Sequence, residues 1–174
     1  QGVALDVVCP NFMTLGAFMD LPEKPRTVLA LDGVTNPQNV GMIIRSAVAA
    51  GVDGLLYPKR GIAALGPLVI KASAGNVFRA PIIRCDATAS AVAALRAKDY
   101  EVATLEASGE TSLFEFKAVD SVVCVLGGES DGIGREVAAL ADNRLTIPMA
   151  NGVESLNVAV TAALVSFHLG QTPD

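Results

Sequence analysis

From residue 27 onward the apolar positions keep changing their period. Short unbroken runs, "TVLALD" (27–32), "DGLLYP" (53–58), "APIIRC" (80–85), "YEVATLE" (100–106), "SVVCVLGG" (121–128) and "RLTIP" (144–148), have the length and β-branched content of strands. Between them lie stretches in which apolar residues recur every three or four positions. In "NPQNVGMIIRSAVAAG" (36–51), Val40, Ile43, Ile44, Ala47 and Val48 fall on one helical face. Asn36 is a suitable N-cap, Pro37 suits the first helical position, and Gly51 can end the helix. Further helices are expected at "GPLVIKASAG", "TASAVAALRAKD", "GREVAALAD" and 155–169. Strands alternating with helices predict an α/β fold whose sheet is mostly parallel, and "SVVCVLGG", apolar on both faces, belongs at its centre. Residues 1–26, broken by Pro10, Pro22 and Pro25, read as a linker or edge element, with "FMTLGAFM" as one short helix. Residues 27–174 form the expected domain.

Composition narrows the classes. Hydrophobic residues are 51% and charged residues 18% of the 174, which excludes general disorder. No apolar run reaches the roughly 18 residues of a membrane span, and 156–169 is interrupted by Asn157, Thr161, Ser166 and His168. The start lacks both a basic signal-peptide region and an initiator Met, so a fragment or processed product of a longer chain is expected. Three scattered cysteines read as reduced core thiols, which places the protein in the cytoplasm. One histidine rules out a multi-histidine metal centre, and no metal is expected. A net charge of −5 argues against a broad basic surface, so any nucleic-acid contact must be local.

Candidate chemistry concentrates in "LGGESDGIG" (126–134), between a buried strand and a helix. Gly127 to Gly132 has the spacing of a phosphate loop, but Ile133 and Gly134 stand where Lys and Ser/Thr are required. "GESDG" fits a nucleophile elbow with Ser130, followed by Asp142 and His168 in hydrolase order. Against it, His168 sits late in an apolar helix, whereas a triad base needs a loop over the nucleophile. The third reading is a loop whose backbone contacts a cofactor, with Glu129 as an organising carboxylate.

Three segments taken together resemble one family. "LALDGVTNPQNVGMIIRSAVAAGVDGLL" (29–56), "VLGGESDGIG" (125–134) and "IPMANGVESLNVAVTAALVSFHL" (147–169) are similar, in order and spacing, to the three motifs of the SpoU/TrmH branch of the SPOUT RNA methyltransferases. "KASAGNVFRAPI" (71–82) resembles the connecting segment, and the opening "QGV" resembles a junction after an RNA-recognition domain. The resemblance implies methyl transfer from S-adenosyl-methionine to a ribose 2′-hydroxyl of RNA, ribosomal RNA before transfer RNA. It implies a homodimer, and a C-terminal trefoil knot that periodicity could not reveal.

Carried over by position, Asn39, Arg45, Glu129, Ser155 and Asn157 would be catalytic. Thr104, Gly127, Gly128, Ile147, Met149 and Leu156 would bind the cofactor, largely through backbone groups. Each has a plainer alternative. Arg45 could lay its stem on an apolar helix and leave its head in water; Asn39 and Ser155 could be helix caps. Asn157 resists such an account, because a buried amide at an apolar helix needs partners. Glu154 is expected to be solvated at the loop's outer edge. Lys59, Arg60, Lys71, Arg79 and Arg84 are the one basic concentration and the candidate RNA contacts, or else scattered solvated charges. The rival functions are the hydrolase with Ser130 and a cofactor- or RNA-binding module without turnover.

Overall fold

The fold is described from a computed structural model covering residues 8–129 and 131–170. Among these residues eight strands form one sheet: β1 (Met13–Thr14), β2 (Thr27–Asp32), β3 (Gly54–Pro58), β4 (Ile82–Cys85), β5 (Glu101–Leu105), β6 (Thr111–Ser112), β7 (Val122–Gly127) and β8 (Asn143–Thr146). Their spatial order is β1-β4-β3-β2-β7-β5-β8-β6, and every strand pair is parallel. The centre is where the sequence is least polar: β3 is buried throughout, as are β2 and β7 except for their last residues. Parallel strands need crossovers, which cover both faces and so demand apolar side chains on each.

Among the described residues, six helices supply those covers: α1 (Leu15–Met19), α2 (Pro37–Ala50), α3 (Pro67–Ala72), α4 (Thr88–Arg96), α5 (Arg135–Ala138) and α6 (Val158–Gly170). Strand alternation splits the core in two. Leu29 and Leu31 face a cluster with Ile43, Ile44, Val69 and Val165 from α2, α3 and α6. Val28 and Ala30 face Phe18, Val92, Leu95 and Val137 from α1, α4 and α5. β2 has β3 on one side and β7 on the other, so the chain reverses its direction of travel across the sheet there. Ligand crevices open beyond the carboxyl ends of strands at such a switch point.

The ends of α2 follow from its sequence. Asn36 Oδ1 accepts from the N–H groups of Gln38 (2.9 Å) and Asn39 (3.4 Å), and Gly51 closes the helix in the left-handed region at φ 76°. Within α2, a Cβ on Gly41 would lie 2.4 Å from Ala72 Cβ and 2.8 Å from the Val69 carbonyl oxygen. A side chain there would separate α2 from α3.

Three expectations need correction. The last helix begins at Val158 rather than 155, and its cap is Asn157, whose Oδ1 accepts from Ala159 N–H at 2.9 Å. Ser155 is therefore not an N-cap; it lies two residues before one. The fifth helix is one turn, Arg135–Ala138, rather than the whole of "GREVAALAD". Residues 1–26, expected as a linker or edge element, supply the edge strand: Met13–Thr14 pairs with β4 at Ile83 and Arg84, and Phe18 is 1% exposed in the second core. That segment is apolar enough to be held by the sheet despite its prolines. The strand β6 had no counterpart in the apolar pattern, being two residues of Thr and Ser.

Cys85 and Cys124 are buried and unpaired, and burial pushes their thiols up, to about 11 and about 12; Asp86 adds to the rise at Cys85. Among the described residues, no helix is long and apolar enough to cross a membrane.

Candidate active site

The loop after β7 is folded tightly onto the end of β2. Gly128 N–H donates to the Asp32 carbonyl at 2.7 Å, Gly132 N–H donates to the Gly128 carbonyl at 3.0 Å, and Gly134 N–H donates to Asp32 Oδ2 at 2.8 Å. A Cβ on Gly128 would come within 2.2 Å of the Gly33 carbonyl oxygen; one on Gly127 would come within 2.3 Å of the Gly132 carbonyl carbon. Both glycines are thus required by backbone packing. The turn holds Glu129 at the carboxyl end of the sheet.

Three side chains from three distant segments meet there. Asn39, in the first turn of α2 and 4% exposed, donates from Nδ2 to Glu129 Oε1 at 2.5 Å. Asn157 donates from Nδ2 to the same Oε1 and to Asn39 Oδ1, each at 3.2 Å. Asn157, expected as a buried amide, is instead exposed, and its partners are these two residues and the α6 backbone. Glu129 Oε2 has no partner among the described residues.

Beside this cluster a cavity of about 490 Å³ opens over the ends of β7, β5 and β8. Of the residues carried over to the cofactor, Gly127, Gly128, Ile147, Met149 and Leu156 line it, as do Glu129 and Ser155. Thr104 does not. It is fully buried in β5, and its hydroxyl donates to Glu106 Oε1 at 2.7 Å. Strand alternation points Thr104 inward, and Glu106, just past the strand end, reaches the cavity instead. Glu106 had a usable signal: an acid directly after a buried strand, in "VATLEASG". Glu154 is exposed, as expected, and stands at the cavity wall. The lining therefore carries three carboxylates, Glu106, Glu129 and Glu154, with no Lys or Arg among the described lining residues.

Arg45 stands apart. It is exposed on α2, does not line the cavity, and makes no side-chain hydrogen bond among the described residues. The basic candidates are also spread out. Lys59 pairs with Asp86 at 2.6 Å, and Arg60 follows it past the end of β3. Lys71 is exposed on α3, Arg79 Nε donates to Asn76 Oδ1, and Arg84 lies over the Phe12 ring at 5.3 Å. Ser130 is outside the described residues. Its proposed partners are engaged elsewhere: Asp142 with Arg96 at 2.6 Å, and His168 Nε2 with the Phe116 carbonyl at 2.9 Å.

The sequence model described as the SpoU rRNA Methylase family matches residues 26–167. A protein of Staphylococcus saprophyticus named as a TrmH family tRNA/rRNA methyltransferase is 36% identical over 172 residues, covering 97% of this chain and 69% of that protein. The crystal structure of an AdoMet-bound rRNA methyltransferase from Sinorhizobium meliloti superposes with a TM-score of 0.78 at 30% identity, covering 87% of this chain and 59% of its own. A structure described for 2-OH methylation of C/U34 on tRNA gives a TM-score of 0.70 at 30% identity, covering 83% of this chain and 94% of its own. The chain thus spans about three fifths of the Sinorhizobium protein and more than two thirds of the staphylococcal one. The family model over most of the chain and the staphylococcal relative lead to one conclusion: the chain belongs to the SpoU/TrmH methylase family.

Proposed function

We propose that this chain transfers the methyl group of S-adenosyl-methionine to a ribose 2′-hydroxyl of RNA. The observation that carries the reading is the Asn39–Glu129–Asn157 network beside the acid-lined cavity. The cofactor fits the donor set: its sulfonium and ammonium are cationic, and three carboxylates with no opposing cation favour such a ligand. A volume near 490 Å³ is within the usual range for a small-molecule cleft. Bound there, the cofactor would supply an already activated methyl, so the protein's task is alignment and the handling of one proton.

Asn39 and Asn157 fix one oxygen of Glu129 and leave the other available to the incoming ribose. Positioning of this kind supplies much of the acceleration in a displacement between two held reactants. Arg45, on the outer face of α2, would orient the hydroxyl and a neighbouring phosphate with its planar fork, the hydroxyl proton leaving late. It would do so across an interface with a second copy. In support, Met42 on α2 and Val160 and Phe167 on α6 are 42%, 49% and 44% exposed, on two helices packed side by side. A homodimer would cover this apolar face. The C-terminal trefoil knot and a cytoplasmic setting belong to the same reading.

Ribosomal RNA is the proposed substrate class, with transfer RNA the rival. Calorimetric titration with S-adenosyl-methionine, followed by mass spectrometry of ribose methylation in ribosomal and transfer RNA incubated with protein and cofactor, tests each part. Binding and a 2′-O-methylated product are expected. Affinity without product would instead favour a binding module, and no cofactor binding by the folded protein would defeat the proposal.

A further inference from the structure

A second cavity, about 810 Å³, lies over the carboxyl ends of β2, β3 and β4. Its walls come from Asp32, from Lys59 and Arg60 after β3, from Asp86 before α4, and from Gly134, Arg135 and Glu136 at the start of α5. The two cavities lie on either side of the loop 127–134: Gly127, Gly128, Glu129, Gly132 and Ile133 line the first, and Gly134 to Val137 line the second. Asp32 joins the two sides, its carbonyl held by Gly128 N–H and its carboxylate by Gly134 N–H.

The charges are mixed, and their pairing decides what they can bind. Lys59 is engaged by Asp86 at 2.6 Å, a contact that holds the Asp86 carboxyl below its ordinary range. Asp32 is occupied by the Gly134 N–H. Arg60, after β3, and Arg135, at the start of α5, form no ion pair or side-chain hydrogen bond among the described residues. Glu136 is likewise without a partner there. Two free guanidiniums suit phosphate, and a free carboxylate suits N–H or O–H donors of a base or sugar. The volume exceeds what a bare phosphate needs and is ample for a nucleotide.

We propose that this cavity binds a nucleotide of the RNA strand flanking the target, with Arg60 and Arg135 on its phosphates and Glu136 on sugar or base donors. This rests on the reading of the chain as an RNA methyltransferase. A ribose held at Glu129 would place the adjoining strand across the 127–134 loop, whose far side is this cavity.

The test measures fluorescence anisotropy of a 5′-labelled, mixed-sequence single-stranded RNA 15-mer against salt, with the full chain. Arg60→Gln/Arg135→Gln is compared with Lys24→Gln/Lys98→Gln, which removes two cations at the amino edge of the sheet. The cavity variant is expected to bind at least about tenfold more weakly at low salt. Its slope of log affinity against log salt should fall by about 1.4, the value for two single-strand phosphate contacts. The control variant should match wild type, and calorimetry should show unchanged S-adenosyl-methionine binding in both. A wild-type slope in the cavity variant overturns the proposal, as does equal weakening by the control. Wild-type protein that binds the cofactor but not the RNA overturns it as well. RNA binding with the expected slope change but no cofactor binding upholds the nucleotide site and defeats the methyltransferase reading instead.

Discussion

The Asn157 side chain divides its hydrogen bonds between fold and site. Oδ1 accepts from Ala159 N–H at the start of α6, while Nδ2 donates to Asn39 Oδ1 and Glu129 Oε1. The two roles are separable, because serine caps a helix about as well as asparagine but is too short to bridge to Glu129. Asn157→Ser is expected to keep stability within roughly 0.5 kcal/mol, whereas Asn157→Ala should lose about 1 kcal/mol with the cap. Both should slow methyl transfer by roughly 10- to 100-fold, since each removes one of the two amides that hold the Glu129 carboxylate. Urea unfolding and single-turnover assays would measure the pair. Wild-type turnover in Asn157→Ser would reduce the residue to a cap. The sequence marked Asn157 as unexplained but could not name its partners, which lie 118 and 28 residues away and meet only through the sheet's topology.

Among the elements, those with local signals were legible and those held by distant contacts were not. The start of α2 is written in Asn36-Pro37, and its end in Gly51. The start of α6 is not, because Ser155 has the cap residue type, while Asn157, held by its bonds to Asn39 and Glu129, is the residue that caps Ala159 N–H. β6 is likewise set by its pairing with β8 rather than by its own side chains. The register of β5 and β8 has a specific clamp. Asp142 accepts from Val102 N–H with Oδ2 at 2.9 Å and from Arg96 with Oδ1. Partial burial alone would raise its carboxyl, but the Arg96 guanidinium and the Val102 N–H outweigh this and hold it below the usual range. A carboxylate depressed in the folded state adds stability above its unfolded pKa of about 3.9, lost as pH falls through the folded value. Asp142→Asn should therefore be less stable than wild type at pH 7, and the gap should shrink as pH is taken below about 4. Urea titrations at pH 7 and pH 3 check this. An equal gap at both would show that Asp142 acts through shape rather than charge.

At the scale of the whole molecule, the position of Arg45 raises a question that one chain does not answer. Asn39 points inward from the first turn of α2 to Glu129, while Arg45, six residues on, is exposed beside Met42. A residue that orients substrate cannot work from a face turned away from the cavity unless another copy brings its own cavity to that face. If the proposed dimer packs α2 and α6 against their counterparts, each site would combine Asn39, Glu129 and Asn157 of one protomer with Arg45 of the other. Complementation decides the matter. Arg45→Ala and Asn39→Ala homodimers should each be nearly inactive. A heterodimer of the two, co-expressed with different affinity tags and purified on both, would hold one site with all its residues. It should recover about half of wild-type activity, since one of its two sites is intact. If Arg45 serves its own chain, both sites of the heterodimer carry a lesion and no activity returns. Phe167→Glu provides the companion measurement, because a charge in the apolar face should give monomers by sedimentation and abolish turnover while leaving cofactor binding in place.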